Sequence, residues 1–312
     1  NNLAGAYYSV GRFGEAIELF EQVLAEYERV LGADHPDTLN TRNNLALAYL
    51  SVGRLAEAIE LYEQVLAERE RVLGHDHPDT LKTRNNLAGA YKSVGRFGEA
   101  VELFERVLAE RERVLGHDHP DTLKTRNNLA GAYKSVGRFG EAIELFERVL
   151  ADQERVLGPD HPDTLTTRNN LAGAYDSAGR FGEAIELYER VLADQERVLG
   201  PDHPDTLTTR NNLAGAYDSA GRFGEAIELY ERVLADQERV LGPDHPDTLT
   251  TRNNLAGAYD SAGRFGEAIE LYERVLADQE RVLGPDHPDT LTTRNNLAGA
   301  YYSVGRFGEA IE

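Results

Sequence analysis

The tetrapeptide Asn-Asn-Leu-Ala begins at Asn1, Asn43, Asn85, Asn127, Asn169, Asn211, Asn253 and Asn295, so every interval is 42 residues. A 312-residue chain written this way has no means of building one large irregular core, because every segment offers its neighbours the same face. It must stack one supersecondary unit on the next, each touching little beyond its neighbours. Seven units occupy 1–42, 43–84, 85–126, 127–168, 169–210, 211–252 and 253–294, and a partial unit follows at 295–312. Units 169–210, 211–252 and 253–294 are identical letter for letter. The expectation is a single repeat array over 1–312 with no linker.

One unit reads as two helices. From Asp37 to Val52 the apolar residues Leu39, Leu45, Ala46, Tyr49 and Val52 fall on one side at helical spacing, which predicts a first helix, A. Asp34 supplies a capping carboxylate, Pro36 suits the first turn, Asp37 favours the dipole, and Gly53 ends the helix. From Leu55 to Leu73 the apolar residues recur at threes and fours, interrupted at Arg69, and predict helix B, about 28 Å long at 1.5 Å per residue. Glu57, Glu60 and Glu63, with Arg54 and Arg69, read as its solvated face. Small residues at Ala4, Gly5, Ala6, Ala16, Ala58 and Ala100 admit close helix approach. Hairpins of this kind bury their apolar stripes only by stacking, and a constant rotation per unit winds the stack and leaves a concave surface. The fold class is all-α, a solenoid of antiparallel helix pairs.

Composition removes several functions. With 33 basic against 54 acidic residues the formal charge is −21, a field that repels nucleic acid and anionic membranes alike. No apolar run approaches the length of a membrane span and no targeting segment opens the chain, which favours the cytoplasm. Without cysteine there are no disulfides, thiolate nucleophiles or cysteine metal sites. The nine histidines all precede helix A; even the doubled His75-Asp76-His77 and His117-Asp118-His119 lack a third ligand nearby and read as helix-starting turns, not metal sites. Recurring acid pairs lack the asymmetric environments that acid–base chemistry needs. Ser9, Ser51 and Ser93 have no neighbouring base, and Gly-Arg-Phe-Gly lacks the strand and lysine of a phosphate loop. No enzyme, cofactor or metal is expected.

At Leu45, Tyr49, Gly53, Ala58 and Tyr62 the unit resembles the tetratricopeptide repeat. Arg42 stands where that family often has tryptophan, Val65 where it has alanine, and the helix-ending proline is missing. The longer form, closed by Gly-x-Asp-His-Pro-Asp-Thr, is similar to the 42-residue repeats of kinesin light chains and closer still to bacterial arrays of near-identical units. Such near-identity arises by recent duplication or by consensus design. The resemblance implies a right-handed superhelix and a protein-interaction scaffold.

On the helix A wheel Asn40, Asn43, Asn44, Leu47, Leu50 and Ser51 lie opposite the core stripe, toward the groove. In tetratricopeptide domains asparagine at the position of Asn44 often grips ligand backbone, which nominates Asn44, Asn86, Asn128, Asn170, Asn212, Asn254 and Asn296; the competing reading is that these amides bond neighbouring helices. The eighth position of the unit runs Tyr8, Leu50, Lys92, Lys134, Asp176, Asp218, Asp260, Tyr302. Lys82, Lys92, Lys124 and Lys134 form a basic run suited to an acidic peptide or a terminal carboxylate. A full carboxylate clamp is absent, since Leu47 or glycine replaces the next groove asparagine. The expected function is a non-enzymatic protein–protein interaction scaffold holding a partner's peptide segment, toward the first half where units differ. The alternative is a structural spacer or self-assembling filament. The absence of an initiating methionine suggests a piece of a longer protein, and ends without capping helices invite head-to-tail self-association.

Overall fold

The computed structural model describes residues 1–9 and 11–311, with Ile311 described in its backbone alone. Among these residues there are sixteen helices and no strand. The A helices are α1 (Asn2–Ser9), α3 (Pro36–Ser51), α5 (Pro78–Ser93), α7 (Pro120–Ser135), α9 (Pro162–Ser177), α11 (Pro204–Ser219), α13 (Pro246–Ser261) and α15 (Pro288–Ser303). The B helices are α2 (Phe13–Val30), α4 (Leu55–Leu73), α6 (Phe97–Leu115), α8 (Phe139–Val156), α10 (Phe181–Val198), α12 (Phe223–Val240), α14 (Phe265–Val282) and α16 (Phe307–Ile311). The chain divides into two compact units, Asn1–Val156 with α1–α8 and Leu157–Glu312 with α9–α16. Within each, every helix packs against the one before and the one after it.

Helix B forms because its alanine, leucine and glutamate content favours helix and one stripe of it is buried. In α4 that stripe is Ala58, Tyr62, Val65 and Arg69. Ala16, Ala58, Ala100, Ala142, Ala184, Ala226 and Ala268 have no exposed surface; with only a Cβ to place, they let a neighbouring helix come close. A ring follows one turn later at Phe20, Tyr62, Phe104, Phe146, Tyr188, Tyr230 and Tyr272, each buried, and truncating such a ring to alanine costs about 3–5 kcal/mol.

Arg69 does not belong to the solvated face: it is 2% exposed. Its guanidinium donates to the Asp79 carbonyl at 2.9 Å, to Thr83 Oγ1 at 2.6 Å and to Asn40 Oδ1 at 2.5 Å. It therefore continues the buried stripe and joins one hairpin to the next. Arg54 keeps the expected exposed role, pairing with Glu57 while its guanidinium lies 3.8 Å above the Tyr49 ring.

The cap of helix A is not the carboxylate expected from Asp34. His35 holds the N-cap position and its Nδ1 accepts the Asp37 backbone N–H at 3.2 Å. His77, His119, His161, His203, His245 and His287 do the same for the A helices that follow. Asp34 instead pairs with Arg71 at 2.5 Å, and the same 37-residue link joins Arg155 to Asp118 and Arg197 to Asp160, each at 2.6 Å. Thr38 and Thr80 then donate to the carbonyls of Gly32 and Gly74 at 2.8 and 2.9 Å. Gly-x-Asp-His-Pro-Asp-Thr is thus a joint in which histidine caps, proline starts the helix, threonine ties the loop and aspartate reaches the end of the next helix B. Gly74 sits at φ 90°, ψ 165°, a conformation open in practice to glycine alone.

Arg42, at the position of the family's tryptophan, is 7% exposed and bridges Glu28 and Glu68, both at 2.7 Å. Three helices meet on one guanidinium, and Arg84 repeats the arrangement with Glu70 at 2.6 Å and with Glu110.

Candidate functional site

Within each unit the A helices form a wall. Besides packing on its B neighbours, α5 touches α7, and in the second unit α9 touches α11, α11 touches α13 and α13 touches α15. Side chains one and two turns apart on these helices therefore fall beside their counterparts.

In the first unit that wall holds a cavity of about 340 Å³, lined by Leu47, Leu50, Tyr62, Asn85, Asn86, Gly89, Lys92, Ser93, Phe104 and Asn128. The space exists because Gly89 stands where the preceding unit has Leu47; a Cβ built on Gly89 would meet nothing within 4 Å. The floor is apolar, from Phe104 and the Tyr62 ring, and the walls are carboxamides. Lys92 is its cation. Burial among these walls, and the nearby charge of Lys134, lower its pKa from the ordinary lysine value. Its Nζ reaches to within 3.5 Å of where a side chain on Gly131 would begin.

The expected asparagine row is present and partly engaged. Asn86 Nδ2 donates to Asn43 Oδ1 at 3.3 Å, and Asn128 Nδ2 to Asn85 Oδ1 at 3.4 Å. The second unit repeats this from Asn212 to Asn169, Asn254 to Asn211 and Asn296 to Asn253, at 3.4 to 3.5 Å. The accepting oxygens also take a threonine hydroxyl from the next A helix, as in Thr125 to Asn85 at 3.3 Å and Thr251 to Asn211 at 3.0 Å. Asn86, Asn128, Asn212, Asn254 and Asn296 each spend one N–H on the neighbouring helix, and a carboxamide carries a second N–H and an oxygen besides. Asn44 and Asn170 are half-buried at the corresponding places on α3 and α9.

Asn86, Asn128 and Lys92 come together on this one cavity. Lys82 and Lys124 are exposed one turn earlier on α5 and α7, and Lys134 is half-buried on α7; none of these three lines the cavity with Lys92. Sequence reasoning missed the floor residues: Tyr62 was read only as the aromatic of the repeat pattern, and Phe104 was not singled out. The available signal was the alternation of Tyr and Phe at that position alongside the changing eighth position.

In the second unit the wall changes sign. Asp218 and Asp260 occupy the place of Lys92 and are half-buried on α11 and α13; burial raises both carboxyl pKa values, against a small opposing hydrogen bond from Ser261 in the case of Asp218. On the opposite side of helix A, Tyr259 donates to Glu231 at 2.8 Å, and burial together with that carboxylate pushes its pKa up to about 12.

No group of three or more histidine, aspartate or glutamate side chains arranged to hold a metal ion occurs among the described residues. No helix among them is long and apolar enough to cross a membrane.

An all-α stack of helix hairpins with a cavity on the shared A wall is a helical-repeat scaffold. The chain belongs to the tetratricopeptide repeat family, whose profile matches residues 1–67, 42–109, 79–154, 128–197, 178–239, 219–281 and 263–312. Among solved structures it is similar to the nearly identical TPR-like repeats of a kinesin light chain-like protein from Podosopora anserina, at 40% identity over 66% of this chain and 97% of that one, with a TM-score of 0.53. It shares its fold with BtubC (BKLC) from P. vanneervenii, 24% identical over 74% of this chain and 92% of that one, TM-score 0.57. A Rap protein complexed with Competence and Sporulation Factor shares the fold at 12% identity over 98% of this chain and 97% of that one, TM-score 0.55. No curated protein matches the chain.

Proposed function

We propose that this array is a non-enzymatic, cytoplasmic interaction scaffold whose helix A groove binds a peptide segment of a partner protein. The observation that carries the reading is the convergence of Asn86, Asn128 and Lys92 on a cavity floored by Phe104 and Tyr62. Carboxamides with a spare donor and acceptor suit the backbone of an extended segment. An apolar floor takes one side chain, and a cation held among low-dielectric walls favours a carboxylate beside it. Asn44 extends the amide row of the first unit, Asn170, Asn212 and Asn254 form a like row in the second, and Lys82, Lys124 and Lys134 add to the positive field of the first unit.

One observation favours a structural role instead. The same amides bond the preceding helix, as Asn86 does with Asn43, and a row of such bonds holds neighbouring units in register without any ligand. The seven units and the partial eighth would then act as a spacer or join head to tail.

Calorimetric titration separates the two. Blocked peptides that place Asp or Glu beside a large apolar residue should bind the array and lose affinity when Lys92, Lys134, Asn86 and Asn128 are all changed to alanine, with helicity checked by circular dichroism. Equal binding by Asn or Gln versions of those peptides would sink the acidic preference. Undiminished binding by the quadruple variant would sink the groove itself.

A further inference from the structure

The three identical units present a second, oppositely charged floor. On α11 and α13, Asp218 and Asp260 each turn Oδ1 inward, where it has neither a hydrogen-bond partner nor contact with solvent. The other oxygen of Asp218 receives a long hydrogen bond from Ser261, 3.4 Å. A carboxylate half taken out of water, with no cation or donor to compensate it, is a costly arrangement. The molecule repeats it without alteration.

Beside these carboxylates stand hydroxyls without partners. Tyr230 and Tyr272 are 5% and 4% exposed, and their hydroxyl oxygens lie 3.2 and 3.3 Å from where a side chain on Gly215 or Gly257 would begin. Those glycines occupy the place of Gly89, which lines the cavity of the first unit, so the hydroxyls emerge onto the same face of helix A. The contrast with the first unit is specific. There the Tyr62 hydroxyl is sealed in the unit whose glycine position is filled by Leu47, and the next two units carry Phe104 and Phe146 where lysine replaces aspartate. From residue 85 to 294 tyrosine with glycine accompanies aspartate and phenylalanine with glycine accompanies lysine, while residues 1–42 pair Phe20 and Gly5 with Tyr8. Ser261, the residue after Asp260, donates to Asp218, so the two carboxylates stand at one level on adjacent A helices, and the Tyr272 hydroxyl rises beside Gly257 on the helix of Asp260.

We propose that the A wall of the second unit binds the lysine side chains of a basic peptide segment, with Asp218, Asp260 and the Tyr272 hydroxyl accepting the three N–H groups of one ammonium. Two negative charges and a neutral acceptor match an ammonium, which has three donors and no acceptor. The aspartate side chain turns about χ2 at little cost, bringing its inward oxygen to the ligand. Identical units suit a ligand whose lysines recur. Each such unit carries eight acids against four bases and no lysine, so the surrounding field attracts the same partner. The proposal stands apart from the peptide reading of the first unit, because it uses none of Asn86, Lys92, Asn128 or Lys134.

The test is titration of the full chain with a blocked Lys-Gly repeat peptide and with the same peptide acetylated on every lysine. The lysine peptide should bind, weaken as salt rises, and lose roughly tenfold or more in affinity to Asp218→Asn with Asp260→Asn, and about threefold to Tyr272→Phe. Glu228→Gln with Glu270→Gln removes the same charge from the exposed face of α12 and α14 and should leave affinity within about twofold. The alanine variant of the first-unit groove should bind the lysine peptide unchanged, so failure of one reading is distinguishable from failure of the other. Equal losses in the two acid-to-amide pairs, or tight binding of the acetylated peptide, would overturn the proposal by showing attraction to net charge or to backbone alone.

Discussion

Asn86 donates its side-chain N–H to Asn43, one unit back, at 3.3 Å. The bond runs along the wall formed by the A helices, so a residue facing the groove also ties two hairpins together. Its two tasks differ in size. A single neutral hydrogen bond contributes about 0.5–1.5 kcal/mol, and the geometry here is at the long end.

Asn86→Ala with Asn128→Ala should therefore lower stability by about 1–2 kcal/mol in total, read as a small drop in the urea midpoint. Affinity for a groove peptide should fall by more than that loss predicts for a folded scaffold. If stability falls and affinity holds, the amides serve the array and not a ligand.

Arg42 should tolerate neither truncation nor neglect of its partners. It is buried between Glu28 and Glu68, and Arg42→Ala strands two acids at a helix junction. A loss of about 3 kcal/mol is expected, whereas Arg42→Met, which fills the space, should cost clearly less than Arg42→Ala. Chemical denaturation of the two variants checks the order.

At the Arg69 position the two chemistries used by the molecule should respond with opposite signs. Arg69→Gln loses the bonds to Asp79, Thr83 and Asn40 and should destabilise by about 1–3 kcal/mol. Gln237 occupies the equivalent place with its Oε1 buried and without a partner. Gln237→Leu removes that unmet acceptor and should be neutral or raise the melting temperature.

The buried aspartates give a pH signature. Burial raises the Asp218 and Asp260 pKa values in the folded state above the ordinary 3.8, so the folded protein holds these protons more tightly than the unfolded chain does. Their effect favours folding below pH 3.8 and is lost as pH rises through the raised folded values. Asp218→Asn with Asp260→Asn should then raise Tm at neutral pH, by roughly a few degrees, and the gain should shrink to nothing near pH 3. A gain that persists unchanged in acid would show that charge burial is not its source.

The hairpin, its helix limits and the stacking of units were legible from spacing alone, because an amphipathic stripe repeated every 42 residues has one economical way to leave water. Helix B was read as Leu55–Leu73 and is found there; helix A was read to begin at Asp37 and begins at Pro36. The helix wheel put Asn86 and Lys92 on one face, and both line one cavity. What spacing did not disclose was partnership. Arg69 looked like a break in the apolar stripe, yet its stem packs and its head finds three oxygens, a fact that depends on where α5 lies. His35 displaced Asp34 as the cap because Nδ1 reaches the Asp37 N–H while Asp34 is held by Arg71. A repeated acid, glutamate at Glu68 and Glu110 and aspartate from Asp152 onward, was the available sign that Arg42 and its equivalents had fixed partners. The array itself follows from sequence, since local helix formation and hydrophobic periodicity act within and between adjacent units. The identity of each polar pair, the sealed Tyr62 hydroxyl and the uncompensated Asp218 and Asp260 were decided only by tertiary structure, because desolvation and hydrogen bonding depend on distances between atoms that the repeat period does not encode.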